Sequence, residues 1–134
     1  MVGVDTNVLI RAVLLDHPEE ANIAKKFLKK ATDKKELFIS SYAILEMAWV
    51  LKMKKHSREE IYESILDLLD SPGIVIGQRE AVLSATEMYN KGNADFGDYL
   101  ILAEGELYSA SKMASFDKDF CKQTDQVQHP KKYL

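Results

Sequence analysis

The acidic residues Asp5, Glu46, Asp95, Asp98 and Asp117 are the side chains whose type and setting could do chemistry, Asp5 and Asp117 following strands and Glu46 and Asp98 lying in apolar helices. Glu46 is the only charged side chain from Tyr42 to Leu51, and Ile44, Leu45, Met47, Ala48, Trp49 and Val50 wrap it in apolar surface. An ionised carboxylate buried alone is costly, so it must be paired, protonated or bound to a cation. The plainer alternative is an internal ion pair or a notch facing solvent. Asp95 and Asp98 lie three residues apart and share a face on a helix. Asp95 has a second use as the N-cap of that helix. Asp98 lies inside it, followed by Tyr99-Leu100-Ile101-Leu102-Ala103, which turns the first turn toward the core. The helix dipole favours an acid there, but by under about 1 kcal/mol, too little to select a buried position.

Carboxylates gathered in one pocket repel one another, so without a cation some hold protons above their normal pKa. Such a pocket requires positive charge, and hard oxygen donors select Mg²⁺ or Mn²⁺ over zinc. His17, His56 and His129 all lie outside the acidic segments, which makes a zinc hydrolase a poor fit. The single cysteine, Cys121, can form neither an intrachain disulfide nor a thiolate site alone, as expected in a reducing compartment. No leader-like start and no apolar run of about 18 residues is present, so the expected location is the cytoplasm, with no membrane partner.

The acids depend on the surrounding elements for their position. Val2-Gly3-Val4 reads as a short buried strand ending at Asp5, and Val8 to Leu15 starts a helical pattern. From Pro18 to Ala31, apolar Ala21, Ala24, Phe27, Leu28 and Ala31 recur at helical spacing with lysines outward. Leu37-Phe38-Ile39 is a strand, Ser40 or Ser41 caps a helix running to about Lys55, and Ser57 with Glu60 forms a capping box for a helix to Leu69. After the Ser71-Pro72-Gly73 turn comes strand Ile74-Val75-Ile76, then helices at about Arg79 to Asn90 and Phe96 to Ser109. Lys112 to Ser115 is a weaker strand, and the tail through Val127 adds an edge strand.

Strands alternating with helices imply parallel pairing through right-handed crossovers. The expected fold is α/β, a three-layer sandwich with a central parallel sheet of four to five strands, forming a single domain over residues 1–134. Ligands in open parallel sheets bind beyond the carboxyl ends of the strands. Asp5 after the first strand and Asp117 after the fourth are therefore expected at one rim. A net charge of -3 argues against coating nucleic acid by bulk positive charge. Local contacts remain open at Lys25, Lys26, Lys29, Lys30, Lys34 and Lys35 and at Lys52, Lys54, Lys55 and Arg58, although such runs are ordinarily solvated helix faces.

Four segments match a known family. Val4-Asp5-Thr6-Asn7-Val8-Leu9, the helix from Ser40-Ser41 through Glu46-Met47-Ala48-Trp49-Val50-Leu51, Ala94-Asp95-Phe96-Gly97-Asp98-Tyr99-Leu100-Ile101, and Ser115-Phe116-Asp117-Lys118-Asp119-Phe120 resemble the acidic blocks of PIN domains in order and spacing. The resemblance is closest to the VapC toxins. It implies a metal-dependent endoribonuclease, the toxin of a toxin–antitoxin pair, acting on RNA as a homodimer and inhibited by a cognate antitoxin. Asp5, Glu46, Asp98 and Asp117 fall on the four catalytic, metal-binding positions, and Asp95 is a further metal ligand. Ser115 stands where relatives carry a threonine, which keeps the hydroxyl.

The resemblance implies that one or two Mg²⁺ or Mn²⁺ ions, held mainly by Asp5 and Asp98 with Glu46 and Asp117 as direct or water-mediated ligands, activate water for in-line attack on a phosphodiester. Thr6 and Asn7 would orient ligands or hold the scissile phosphate, and Ser115 would hydrogen-bond Asp5. Replacing Asp5 with Asn is expected to abolish cleavage and, by relieving repulsion, to raise metal-free stability. Two other readings compete. A catalytically inactive PIN-like module would bind RNA or protein without binding Mn²⁺. An acid-pocket phosphatase of haloacid-dehalogenase type wants a second Asp where Asn7 stands, and a receiver domain wants a lysine after a late strand. Ile61, Ile65 and Leu68 on a short helix support a dimer or read equally as core.

Overall fold

Short strands separated by helices set the architecture, and each strand among the described residues is only two or three residues long. The computed structural model describes residues 1–14 and 16–134. Leu15, where the first helical pattern was expected to end, lies outside the described residues. Two compact units are present, Met1–Arg79 and Glu80–Leu134.

In the first unit, β1 (Val2–Gly3), β2 (Leu37–Ile39) and β3 (Ile74–Ile76) form a parallel sheet in the order β1-β2-β3. Its register pairs Val2 with Leu37 and Leu37 with Ile74. Helices α1 (Thr6–Leu14) and α2 (Pro18–Asp33) make the first crossover, and α3 (Ser41–Met53) and α4 (Arg58–Leu69) the second. Leu37 and Ile39 on the central strand are fully buried with Ile44, Leu51, Ile61 and Ile65 from α3 and α4. Ile61 and Ile65 thus belong to the core and lend no support to a dimer surface. The expectation of a buried first strand is corrected: Val2 is 46% exposed, on a strand that among the described residues pairs with β2 alone.

Local signals explain the helix ends. Ser40 accepts a hydrogen bond from the Ala43 N–H at 3.0 Å and caps α3. Ser57 and Glu60 make the reciprocal capping box of α4, with Glu60 N–H to Ser57 Oγ at 3.1 Å and Ser57 N–H to Glu60 Oε1 at 2.9 Å. The lysines of α2 are exposed, and Lys29 pairs with Asp33 at 3.1 Å, the behaviour of a solvated face. Gly73 is required before β3, since a Cβ there would stand 2.0 Å from the Thr32 carbonyl oxygen.

The second unit contains α5 (Arg79–Lys91, beginning at the last residue of the first unit), α6 (Phe96–Leu107), β4 (Met113–Ala114), α7 (Lys118–Gln123), β5 (Val127–Gln128) and a 3₁₀ turn (Pro130–Tyr133). β4 and β5 pair in parallel, Met113 with Val127 and Ala114 with Gln128. Tyr89 and Phe96 pack edge to face, as do Tyr99 and Phe120, so buried rings join α5, α6 and α7. The fold is α/β with a parallel three-stranded sheet flanked by helices, and its sheet is smaller than the four to five strands expected. The last two strands form a separate ladder among the described residues. The sequence pattern counts strands but does not say which edges join. Helix α7 and the final 3₁₀ turn were not anticipated from the apolar periodicity. No helix among the described residues is long and apolar enough to cross a membrane.

Candidate functional site

In the first unit the chain leaves β1 at Val4 and enters α1 through Asp5. The exposed Asp5 carboxylate caps this helix, its Oδ1 accepting the Val8 N–H at 3.1 Å. Asp5 and the exposed Asn7 line a cleft of about 620 Å³ with Gly3, Val8, Arg11 and Glu20. Arg11 is held by Glu20 at 3.0 Å and Asp16 at 3.7 Å. Thr6 faces α3 and donates its hydroxyl to Glu46 Oε1 at 2.8 Å.

Glu46 is half-buried, which corrects the expectation of a carboxylate enclosed by apolar surface. The buried face of α3 is Ala43, Ile44, Met47, Ala48 and Leu51, whereas Tyr42 and Trp49 are 66% and 62% exposed. An all-round apolar sequence therefore does not mean an all-round buried helix here. Thr6 supplies the hydrogen bond that a part-buried carboxylate needs.

In the second unit, Asp95, Asp98, Asp117 and Asp119 line one cleft of about 340 Å³ together with Asn93, Lys122 and Gln123. Asp95 occupies the N-cap position of α6 in extended backbone, without a side-chain capping hydrogen bond. Asp98, in the first turn, is half-buried. Asp117 is exposed and caps α7, its Oδ1 accepting the Asp119 N–H at 3.0 Å and the Phe120 N–H at 3.1 Å. The Ser115 hydroxyl oxygen accepts the Asp117 N–H at 3.0 Å and so shapes the turn that presents Asp117.

A polar knot joins residues that line this cleft to Tyr99. Gln123 Oε1 accepts from the Tyr99 hydroxyl at 2.5 Å and from the Asn93 N–H at 3.1 Å. The Tyr99 oxygen in turn accepts the Ala94 N–H at 3.2 Å. The segment entering α6 is thereby tied to the end of α7, and with it the two pairs of acids those helices carry. Gly92 leaves the room: a Cβ there would come within 1.8 Å of the Tyr99 hydroxyl oxygen.

Sequence reasoning missed Asp119, Asn93, Lys122 and Gln123 as lining residues. Asp119 could have been found, because an acid two residues beyond a capping Asp lies in the first turn of the following helix. Gln123 carries no such signal, since only the packing of Tyr99 gives it a role.

The donor set of the second cleft fits a hard divalent cation, because its four acids offer only oxygen and no His or Cys lines it. Within either unit, among the described residues, no three His, Cys, Asp or Glu side chains are gathered closely enough to cage an ion. Mg²⁺ does not need such a cage, since it commonly keeps several waters and takes one or two carboxylates with the substrate phosphate.

Comparison with curated proteins and with solved structures returned no match for the chain. The PIN domain family model matches residues 2–125. That span covers nearly the whole sequence and includes every acid described above, and the chain belongs to the PIN domain family.

Proposed function

We propose that the protein is a Mg²⁺- or Mn²⁺-dependent endoribonuclease, a single PIN-like domain that serves as the toxin of a toxin–antitoxin pair. PIN domains are in general nucleases that bind RNA and hydrolyse phosphodiester bonds. The observation that carries the metal-dependent reading is the cleft in which Asp95, Asp98, Asp117 and Asp119 offer carboxylate oxygens and no His or Cys takes part. The catalytic acids in this proposal are Asp5, Glu46, Asp98 and Asp117, with Asp95 as an additional metal ligand. Bound Mg²⁺ or Mn²⁺ would supply positive charge to a phosphate oxygen and acidify a water.

The chain's own residues prepare the acids for that task. Thr6 holds one Glu46 oxygen and limits the rotamers open to it. Asp117 is oriented by the two N–H groups it caps. The Tyr99–Gln123 hydrogen bond holds the entry to α6, where Asp95 and Asp98 lie. Asn7 in the first cleft would position the scissile phosphate or a metal-bound ligand. A homodimer and a cognate antitoxin complete the proposal as partners, in the cytoplasm.

The test is cleavage of mixed cellular RNA by the purified chain with Mg²⁺, with Mn²⁺ and with chelator, followed by sequencing of the new ends. Internal cuts that need the metal and vanish in Asp98→Asn are expected. Cleavage in chelator, or full activity in Asp98→Asn, would overturn the assignment. Turnover of a small phosphomonoester in place of RNA would favour a phosphatase. For the toxin role, induction in cells should arrest growth, and the same induction of Asp98→Asn should not.

A further inference from the structure

Among the described residues, Lys122 is the one cation that lines the acidic cleft of the second unit, beside Asp95, Asp98, Asp117 and Asp119. Its ordinary use would be local. Lys122 stands three residues after Asp119 on α7, a spacing at which helices pair opposite charges. Helix α2 does make a pair of this kind, Lys29 with Asp33 at 3.1 Å. Lys122 does not: among the described residues its ammonium pairs with no carboxylate, and the residue is exposed. The cleft thus carries an ammonium that its own acids have not neutralised.

Charge decides what such a group is for. An RNA backbone carries one negative charge per phosphate, and it must approach a cleft walled by four carboxylates. A single divalent ion offsets two of those charges when the acids are ionised and leaves the wall negative. An ammonium at the wall is then the group that a phosphate oxygen can meet, and a charged hydrogen bond of this kind is among the stronger ones. A lysine serving as counter-ion to the acids would pair with Asp119, and that pair is not made.

We propose that Lys122 is a substrate-binding residue whose ammonium holds a backbone phosphate of the RNA beside the acidic cleft. The inference rests on the nuclease assignment and adds to it the cation that the acids do not supply. Lys122 attracts the phosphate but repels a divalent ion in the same cleft, so its removal should weaken RNA binding and tighten metal binding. A lysine that only supported the fold or the acids would move both in the same direction.

Two titrations of the full chain test this. In the first, Mn²⁺ alone is titrated calorimetrically into the parent and into Lys122→Met, and the variant should bind the ion about threefold more tightly. In the second, a fluorescein-labelled oligoribonucleotide of mixed sequence is bound in Mg²⁺ by the chain carrying Asp98→Asn, which separates binding from cleavage. Adding Lys122→Met should weaken this binding by about fivefold and lower the slope of log affinity against log salt by about 0.7, the share of one phosphate contact. Lys122→Arg should keep both. Lys118→Met removes an exposed charge from the same helix that does not line the cleft, and should cost less. Thermal melting shows which variants are folded, and Lys122→Gln carries the same assays if Lys122→Met is not. Affinity and salt slope unchanged by the loss of Lys122, an equal loss in Lys118→Met, or a loss in Lys122→Arg as large as in Lys122→Met would overturn the proposal even if RNA is cleaved. Weaker Mn²⁺ binding without Lys122 would overturn it as well, since the lysine would then be supporting the acids. Lys122-dependent RNA binding in a chain that cleaves nothing would support the phosphate contact while refuting the nuclease assignment.

Discussion

Thr6 on α1 and Glu46 on α3 are joined by a 2.8 Å hydrogen bond across forty positions of sequence. The bond ties the residue after Asp5 to the one acid in the middle of an apolar helix. Its removal should be felt in both stability and activity. Thr6→Val keeps the shape and deletes the donor, and should lower stability by about 1–2 kcal/mol, since hydrogen bonds to charged groups are the stronger ones and this one is part-buried. Thr6→Ser should recover most of the loss. Denaturant titration of the two variants checks this, and a Val variant as stable as the parent would show that the bond does not hold Glu46.

The sequence makes local events legible and tertiary ones obscure. Ser40 and the Ser57–Glu60 box are readable because a cap is decided within four residues. The acids themselves are readable because charge beside apolar runs is conspicuous. Their local roles are less so: Asp95 reads equally as cap or as site acid, and it occupies the N-cap position without a side-chain capping bond, whereas the Asp5 and Asp117 carboxylates accept helix N–H groups. Glu46 reads as enclosed because Ile44, Leu45, Met47, Ala48, Trp49 and Val50 surround it, and periodicity alone does not reveal that Trp49 faces outward. Gln123 is ordinary in sequence and gains its meaning only from Tyr99.

That knot supports the second prediction. Tyr99→Phe removes one hydroxyl, but it takes a donor from Gln123 and an acceptor from the buried Ala94 N–H at once. A loss of about 1–3 kcal/mol is expected from leaving a buried backbone donor without this acceptor. RNA cleavage should fall by more than the unfolded fraction explains, because the entry to α6 loosens. Chemical denaturation and kcat measured on the same samples decide it, and wild-type values for both would remove the knot from the argument.

Three helices end in the same way. After α2, α3 and α6, Lys35, Lys55 and Ser109 adopt left-handed φ of 56°, 65° and 66°. The following N–H groups reach back to Ala31, Leu51 and Gly105, the bonding of a Schellman motif. An L-residue there is strained by about 1–2 kcal/mol, partly offset because glycine loses more chain entropy on folding. Lys55→Gly and Ser109→Gly should each stabilise by about 0.5–1 kcal/mol, or a few degrees in Tm. The corresponding Ala variants should not, since Ala meets the same backbone strain.

The capping box of α4 gives a pH signature. Hydrogen bonds from the Ser57 backbone and then its side chain, aided by the nearby His56, hold the Glu60 carboxyl below its ordinary pKa. A carboxyl depressed in the folded state contributes stability above its unfolded pKa of about 4.3, and that contribution is lost as pH falls through the lower folded value. Ser57→Ala should cost about 1 kcal/mol of capping at neutral pH. Glu60→Gln removes the titrating carboxyl and should flatten the decline in stability below about pH 4, where Glu60 would otherwise take up its proton. Thermal melts from neutral to acid pH test both, and parallel curves for the parent and Glu60→Gln would mean the box is not formed in solution.

Asp5 allows charge and capping to be separated. Its Oδ1 caps α1 by accepting the Val8 N–H, and asparagine has the same oxygen in the same place. Asp5→Asn should therefore keep α1 intact and lose activity only through the missing negative charge. Asp5→Ala loses charge and cap together, and should in addition cost about 1 kcal/mol of stability. If the carboxylate repels other acids in the metal-free protein, the Asn variant should be more stable than the parent without Mg²⁺ and less stabilised when Mg²⁺ is added, since a ligand that binds only the folded state stabilises it by mass action. A thermal melt of the three proteins with and without Mg²⁺ gives that comparison directly. An Asn variant that is as active and as metal-responsive as the parent would leave Asp5 as a helix cap and nothing more.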